Sequence, residues 1–146
     1  MQLKEIMTRQ VEVISPDATV EQAAKQMDDV DIGALPVCDG DRLVGIVTDR
    51  DIVVRSISVG QDPRKTYVRD VMTTSSLIYA FEDDDVPSAA QLMEKKQIRR
   101  LPVMSREKRL VGIVSLGDLA VHGRDRDLAG EVVEKVSAPA SRKTAA

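Results

Sequence analysis

Two short stretches carry residue types that could do chemistry. Thr48-Asp49-Arg50-Asp51 and Ser115-Leu116-Gly117-Asp118 each place a hydroxyl three residues before a carboxylate. Each follows an apolar run, Leu43-Val44-Gly45-Ile46-Val47 and Leu110-Val111-Gly112-Ile113-Val114. One reading is structural. A hydroxyl at the N-cap and an acid at the third helical position form a capping box, worth about 0.5–2 kcal/mol of stability. The other reading is a ligand site. A helix N-terminus offers free N–H groups and partial positive charge to an anion, and a carboxylate offers two acceptors to two adjacent sugar hydroxyls. That carboxylate would repel a phosphate, so a phosphorylated ligand needs a separate cation.

The pair Arg99-Arg100, directly before Leu101-Pro102, supplies one. A guanidinium grips phosphate bidentately, and strand alternation predicts that the two side chains point to opposite faces. Neighbouring arginines also suit a solvated edge. The matching positions in the first half are Gly33-Ala34, which hold no phosphate, so two sites built this way would be unequal.

Other chemistry finds little support. His122 is the single histidine, placed near a helix end, where a cation suits the dipole. Cys38 reads as a small buried apolar residue in a strand. No Cys/His set has metal-ligand spacing, and neither Ser115 nor Thr48 has a base partner evident in sequence. The expectation is therefore no enzyme, no metal and no catalytic residue. The acidic run Glu82-Asp83-Asp84-Asp85 suits a helix start, with a magnesium site as the lesser alternative. The cluster Lys95, Lys96, Arg99, Arg100, Arg106, Lys108 and Arg109 is the best argument for nucleic acid. Against it stand a net charge of −3 and a lack of aromatics for base stacking.

The elements that must position these residues come as a repeat. Ile6-Met7-Thr8 answers Val71-Met72-Thr73, and Val20, Ala23, Ala24 and Met27 answer Val86, Ala89, Ala90 and Met93. Leu35-Pro36-Val37 answers Leu101-Pro102-Val103. In the first copy the patterns predict a strand over 11–14, a helix over 19–27, a hairpin of strands 35–38 and 43–47, and a helix from 49 to 58 ended by Gly60. The second copy predicts a strand near 77–80, a helix over 86–95, a hairpin around 106–108 and a helix from 116. A further helix is expected over 128–136.

The unit is thus β-α-β-β-α. Three strands cannot bury their apolar face alone, so the expected fold is α/β (α+β), with two repeats packed about a pseudo-two-fold axis. The expected divisions are repeat one at 1–60, a connector at 61–69, repeat two at 70–124, a helix at 125–136 and a mobile tail at 137–146. With three aromatics and no tryptophan, the core must come from Val, Ile, Leu, Met and Ala. One cysteine fits a reducing compartment. The chain start lacks the apolar run of a signal peptide, and no stretch approaches the roughly 18 apolar residues of a membrane span. These features predict a cytoplasmic protein with no membrane partner.

The repeat, the Leu-Pro-Val strand and the Gly-Ile-Val-(Thr/Ser)-x-x-Asp junction resemble the cystathionine-β-synthase (CBS) domain, from about Leu3 to Val121. Two such domains in tandem are called a Bateman module, and the chain is similar to stand-alone bacterial CBS pairs. The resemblance implies an adenosyl ligand such as AMP, ADP or ATP in clefts between repeats. It also implies a homodimer that signals to an unidentified protein partner. Carried over residue by residue, the better site combines Ser115, Asp118 and Arg100, with Arg99 beside it, and Thr8, Val13 and Ile32. The poorer site combines Thr48 and Asp51 with Thr73 and Ile98, with Arg50 as a candidate contributor. Adenine would lie between apolar side chains. The alternative is a ligand-free interaction scaffold, in which the junctions are only caps.

Overall fold

The structure is a computed structural model that describes residues 1–75, 77–122 and 126–138. Four of its helices start where the sequence supplies caps. Thr19 opens α1 (Val20–Val30) with a capping box: Gln22 N–H donates to Thr19 Oγ1 at 3.2 Å, and Thr19 N–H to Gln22 Oε1 at 2.9 Å. Asp85 opens α4 (Val86–Lys96) by accepting from Ser88 N–H at 2.8 Å, with Pro87 in the first turn. Both helices end in a left-handed residue, Asp31 (φ 54°) and Gln97 (φ 52°). The following amides, Ile32 and Ile98, reach back to the Met27 and Met93 carbonyls. That is the Schellman closure, which satisfies carbonyls the helix leaves open.

Strand β1 (Ala34–Asp39) pairs antiparallel with β2 (Arg42–Thr48) across a turn at Gly40, with a bulge between Val37 and Cys38. Residues Leu43, Gly45 and Val47 face the core in β2, while Val44, Ile46 and Thr48 are half-buried. The junction leads into α2 (Asp49–Arg55), then a 3-10 turn over Ile57–Val59 and Gly60 in the left-handed region. A short helix, α3 (Val68–Val71), follows. In the second copy β3 (Ala80–Phe81) runs parallel to β4 (Arg100–Met104), which also neighbours β5 (Leu110–Ser115). Then come α5 (Leu116–His122) and α6 (Arg126–Ser137). The expected strand over 11–14 is reduced to one parallel bridge, Ile14 with Val37. Only Ile14 of that run is buried, Val13 is exposed, and Pro16 stops the ladder.

Two compact units form, and they cut across the linear repeats. Unit 1 holds Met1–Arg9, Tyr79–Arg106 and the described residues from Val111 onward. Unit 2 holds the described residues of Gln10–Ile78 together with Glu107–Leu110. In unit 1 the N-terminal segment leads into the second copy: Leu3 N–H donates to the Asp84 carbonyl and Val86 N–H to the Met1 carbonyl, both at 2.9 Å. Residues of the connector do the same for the first copy. Val20 N–H donates to the Thr66 carbonyl at 2.9 Å, and Val68 N–H to the Ala18 carbonyl at 2.8 Å. The core of unit 2 is Ile14, Val20, Ala23, Met27, Leu35, Val37, Val47, Ile52, Val68 and Val71. Unit 1 buries Leu3, Met93, Leu101, Val103, Val114 and Val132 completely. Neither core uses an aromatic ring, as the composition required. The tail from Pro139 lies outside the described residues.

Candidate functional site

Unit 1 gathers one set of the expected residues. Thr8 and Ile113 form an antiparallel bridge with both hydrogen bonds at 2.9 Å. Side chains opposite each other share a face, and so do residues two apart on a strand. Thr8, Ile113 and Ser115 therefore line one face, and Ser115 opens α5. There the capping box is fully made: Asp118 N–H donates to Ser115 Oγ at 3.1 Å, and Ser115 N–H to Asp118 Oδ2 at 2.9 Å. Asp118 is half-buried, and its Oδ1 has no further partner among the described residues.

The glycine at 112 is what lets the Thr8 segment approach. A Cβ there would meet Met7 Sδ at 2.5 Å and the Thr8 carbonyl oxygen at 3.0 Å. Gly45 does the same for Met72 and Thr73, at 2.7 and 3.0 Å. The sequence pattern held this signal, a glycine mid-strand in both copies with Met-Thr in both lead-ins.

Unit 2 gathers the second set. Thr73 bridges Ile46, with hydrogen bonds of 2.8 and 3.0 Å, so Thr73, Ile46 and Thr48 share a face. Thr48 and Asp51 repeat the capping box at 3.0 and 3.1 Å. Here the acid is more fully engaged. Arg55 Nε lies 3.7 Å from Asp51 Oδ1, and the same guanidinium donates to the Val71 and Met72 carbonyls at 3.4 Å. Sequence reasoning passed over Arg55, although its position four residues after Asp51 is the spacing of a helical ion pair.

The two junctions also differ in charge. Asp49 N–H donates to the Gly33 carbonyl at 2.9 Å, and Leu116 N–H donates to the Arg99 carbonyl at 3.1 Å. In unit 2 the Asp49 carboxylate packs over Gly33, where a Cβ would lie 2.9 Å from Oδ2. In unit 1 the same place holds Leu116 beside Arg99. Repeat one therefore presents acid where repeat two presents a guanidinium, and an anion would be repelled at the first and attracted at the second.

Arg99 does not follow the expected strand alternation. It precedes β4, in a bend after the left-handed Gln97 and the Ile98–Met93 hydrogen bond. Arg99 and Arg100 are both exposed, and neither guanidinium has a partner among the described residues. Val13 and Ile32 lie in unit 2, and Ile98 lies in unit 1. Arg50 is exposed.

Several of the remaining candidates have structural employment. Asp83 holds Arg106 through both its oxygens, at 3.0 and 3.1 Å from Nε, and that guanidinium lies 4.1 Å from the Phe81 ring centroid. The Arg106 hydrogen bond keeps the Asp83 carboxyl below its ordinary range. Asp84 accepts from Phe81 N–H at 2.8 Å and Asp85 caps α4, so three of the four acids in that run are engaged by the fold. From the basic cluster, Arg106 and Arg109 are in ion pairs, the latter with Asp41 at 3.2 Å. Burial, helped by Asp41, raises the Cys38 thiol to about 11. His122 ends α5, and its side chain lies outside the described residues. Among the described residues, no group of three or more His, Cys, Asp or Glu side chains could hold a metal ion, and no helix is long and apolar enough to cross a membrane.

Comparison with known proteins agrees with this fold. The family model described as the CBS domain matches residues 3–57 and 68–123. The chain is 41% identical over 135 residues to the CBS domain-containing protein YhcV of Bacillus subtilis, covering 92% of this chain and 94% of that one. It is 41% identical over 120 residues to hypoxic response protein 1 of Mycobacterium tuberculosis, covering 82% of each. The crystal structure of Hypoxic Response Protein I with two coordinated zinc ions superposes with a TM-score of 0.75 at 37% identity, covering 84% of this chain and 98% of that one. A hexameric CBS-CP12 protein from bloom-forming cyanobacteria has a TM-score of 0.67 at 33% identity, covering 85% and 72%.

Proposed function

Since the chain belongs to the CBS-domain family, as a tandem pair of the regulatory kind, we propose that it binds an adenosine nucleotide and passes the occupancy to a protein partner. The binding elements are those of unit 1. Asp118 Oδ1 accepts from the ribose hydroxyls, Ser115 and Thr8 border the sugar, and Arg99 or Arg100 takes the phosphate. The observation that carries this reading is the pair of exposed, unpartnered guanidiniums at Arg99 and Arg100, joined through the Arg99 carbonyl to the start of α5. The equivalent junction in unit 2 has Asp49 over Gly33 and Asp51 beside Arg55, so it is the weaker site. The working form is a cytoplasmic homodimer without catalytic activity, and AMP, ADP and ATP are the candidate ligands. Signalling requires the nucleotide to prefer one arrangement of the module over another.

A second reading, a ligand-free scaffold, is favoured by one feature: both junction acids already serve capping boxes. One experiment separates the two. A ligand that binds only the native state raises the melting temperature by mass action. A thermal-shift panel of AMP, ADP, ATP, NADH and S-adenosylmethionine is expected to stabilise the wild-type chain with at least one adenine nucleotide. Asp118→Ala loses about 0.5–2 kcal/mol of cap stability in any case. The informative quantity is therefore each variant's shift between ligand-free and ligand-loaded samples, which Asp118→Ala and Arg100→Ala should reduce. No shift with any compound at millimolar concentration refutes nucleotide binding and leaves the scaffold.

A further inference from the structure

Helix α6 is an addition to the repeat. The match to the CBS-domain model ends at residue 123, and α6 begins at Arg126. It packs on α4 and α5, with Val132 fully buried and Val136 nearly so. Its effect shows when the two copies are compared position by position. Ala90 and Glu94 of α4 answer Ala24 and Asp28 of α1. Ala90 is fully buried and the Glu94 side chain only 12% exposed, whereas Ala24 and Asp28 are both exposed. Unit 2 nonetheless buries Val20, Ala23 and Met27 of α1 in its core. A unit of this fold therefore closes its core without a covering helix, so α6 does something other than complete one.

What α6 grips is the end of α4. A helix leaves its last four carbonyls without intrahelical partners. Gln97 Nε2 donates to two carbonyls at that end of α6, Lys135 at 3.4 Å and Ala138 at 3.3 Å. Lys135 Nζ in turn lies 3.5 Å from Glu94 Oε2 and 2.6 Å from Glu131 Oε1. The residue answering Gln97 in the first copy is Asp31, whose carboxylate can only accept. The amide donor thus stands in the copy that has a helix to hold. The grip is light. Both Gln97 bonds are long, Lys135 is 54% exposed, and Glu94 Oε1 is buried with no hydrogen-bond partner among the described residues. A buried carboxylate oxygen left unpaired opposes docking. A helix as short as α6 is marginal alone in water, so α6 holds its shape only when docked.

Gln97 stands two residues before Arg99, and a closed ring of contacts results. From Gln97 the chain passes through the Ile98–Met93 hydrogen bond to Arg99, whose carbonyl takes the Leu116 N–H at the start of α5. Helix α5 packs on α6, and α6 returns to Gln97. Both sides of the candidate site lie on this ring, the guanidiniums of Arg99 and Arg100 and the carboxylate of Asp118. We infer that α6 is a strap: docked, it holds the Arg99–Arg100 segment in place relative to Asp118 through Gln97, and undocked, it releases that segment. Gln97 is a positioning residue for the anion site of unit 1, and α6 is the element whose docking reports a bound anion. An anion that needs the fastened arrangement favours α6 docking by the same factor by which docking favours the anion. The identity of that anion rests on the nucleotide reading above; the strap does not.

Gln97→Gly in the full chain tests this. Glycine accepts the left-handed backbone at position 97 (φ 52°), so the substitution removes the two side-chain hydrogen bonds and little else. Without ligand, hydrogen exchange is expected to speed about tenfold at the last amides of α6 and at the Leu116 amide, while the Val103 and Val114 amides stay as in the wild type. Asp31→Gly, the equivalent change in unit 2, should leave the Leu116 amide as it was. Lys135→Met removes the contact with Glu94, should act in the same direction as Gln97→Gly, and replaces it if that variant does not fold. Loosening of α6 with the Leu116 amide unmoved overturns the strap and leaves Gln97 a simple helix cap. Loosening of Val103 and Val114 together with α6 also overturns it, by making α6 part of the core. Calorimetry with AMP, ADP and ATP reads the coupling. A nucleotide that binds should bind Gln97→Gly about tenfold more weakly and should slow α6 exchange in the wild type by a similar factor. Equal affinity for both proteins overturns the coupling. A wild type that binds none of the three overturns the nucleotide reading, and the ligand-free exchange still decides the strap.

Discussion

Gly112→Ala tests how the Thr8 segment is seated. The added methyl would lie 2.5 Å from Met7 Sδ, 2.9 Å from Met7 Cγ and 3.0 Å from the Thr8 carbonyl oxygen. The sulfur sits on a flexible side chain and can turn aside, but the carbonyl is backbone and is held by the two Thr8–Ile113 hydrogen bonds. Overpacking a filled site costs about 1–3 kcal/mol, and each lost hydrogen bond adds about 0.5–1.5 kcal/mol. Against this, alanine restricts the unfolded chain and returns about 0.4–1 kcal/mol. The net expectation is a loss of about 2–3 kcal/mol. Urea denaturation should show the midpoint falling with the slope unchanged, and the Thr8 and Ile113 amides should exchange faster. Adding Met7→Ala should not recover the loss, since it empties a buried site and leaves the Thr8 carbonyl in the way. A Gly112→Ala protein as stable as the wild type, or more so, would refute the close approach of the Thr8 segment.

Gly130 is the opposite case: it lies within α6, nothing lies within 4 Å of an added Cβ, and Gly130→Ala should raise stability by about 0.5–1 kcal/mol in thermal unfolding. A loss would mean that α6 does not hold this backbone. Cys38 is 5% exposed, and its thiol is raised from 9.0 to about 11, first by burial and then by Asp41. The folded state therefore keeps its proton where the unfolded state loses it. The contribution to stability is full below about pH 9 and declines as pH rises toward about 11. Native protein should react slowly with a thiol reagent at pH 8 and quickly in urea; rapid reaction when folded would place the sulfur at the surface.

Much of the fold was legible because the repeat prints its periodicities twice. Thr19 with Gln22, and Thr48 and Ser115 with their aspartates, announce helix starts through chemistry that acts over three residues. Gly40 and the flanking Leu-Pro-Val and Leu-Val-Gly-Ile-Val runs announce the first hairpin in the same local way. The short strand over 11–14 was less legible, because β-propensity reports burial against neighbours rather than a backbone preference. Only Ile14 finds such a neighbour, in β1.

The candidate site divides along the same line. The hydroxyl–acid pairs and the asymmetry between Gly33 and Arg99 are properties of sequence, since each depends on residue type at a repeated position. The partner of each junction is not. Thr8 lies over a hundred positions from Ser115 in the chain, and a bridge to Ile113 places the two on one face. Likewise Arg55 reaches Asp51 and the Val71 and Met72 carbonyls together only when α2 and α3 are folded onto one core.

The sequence by itself determined the repeat, its helices and caps, the aliphatic core and the unequal charge of the two junctions, because those follow from interactions within a few residues or from composition. Only the tertiary structure decided that Met1–Arg9 completes the second copy and that residues 66–73 complete the first. The two lead-ins are alike in pattern, so no local preference assigns either one to its sheet. Long-range backbone pairing and the space left by Gly45 and Gly112 make that choice.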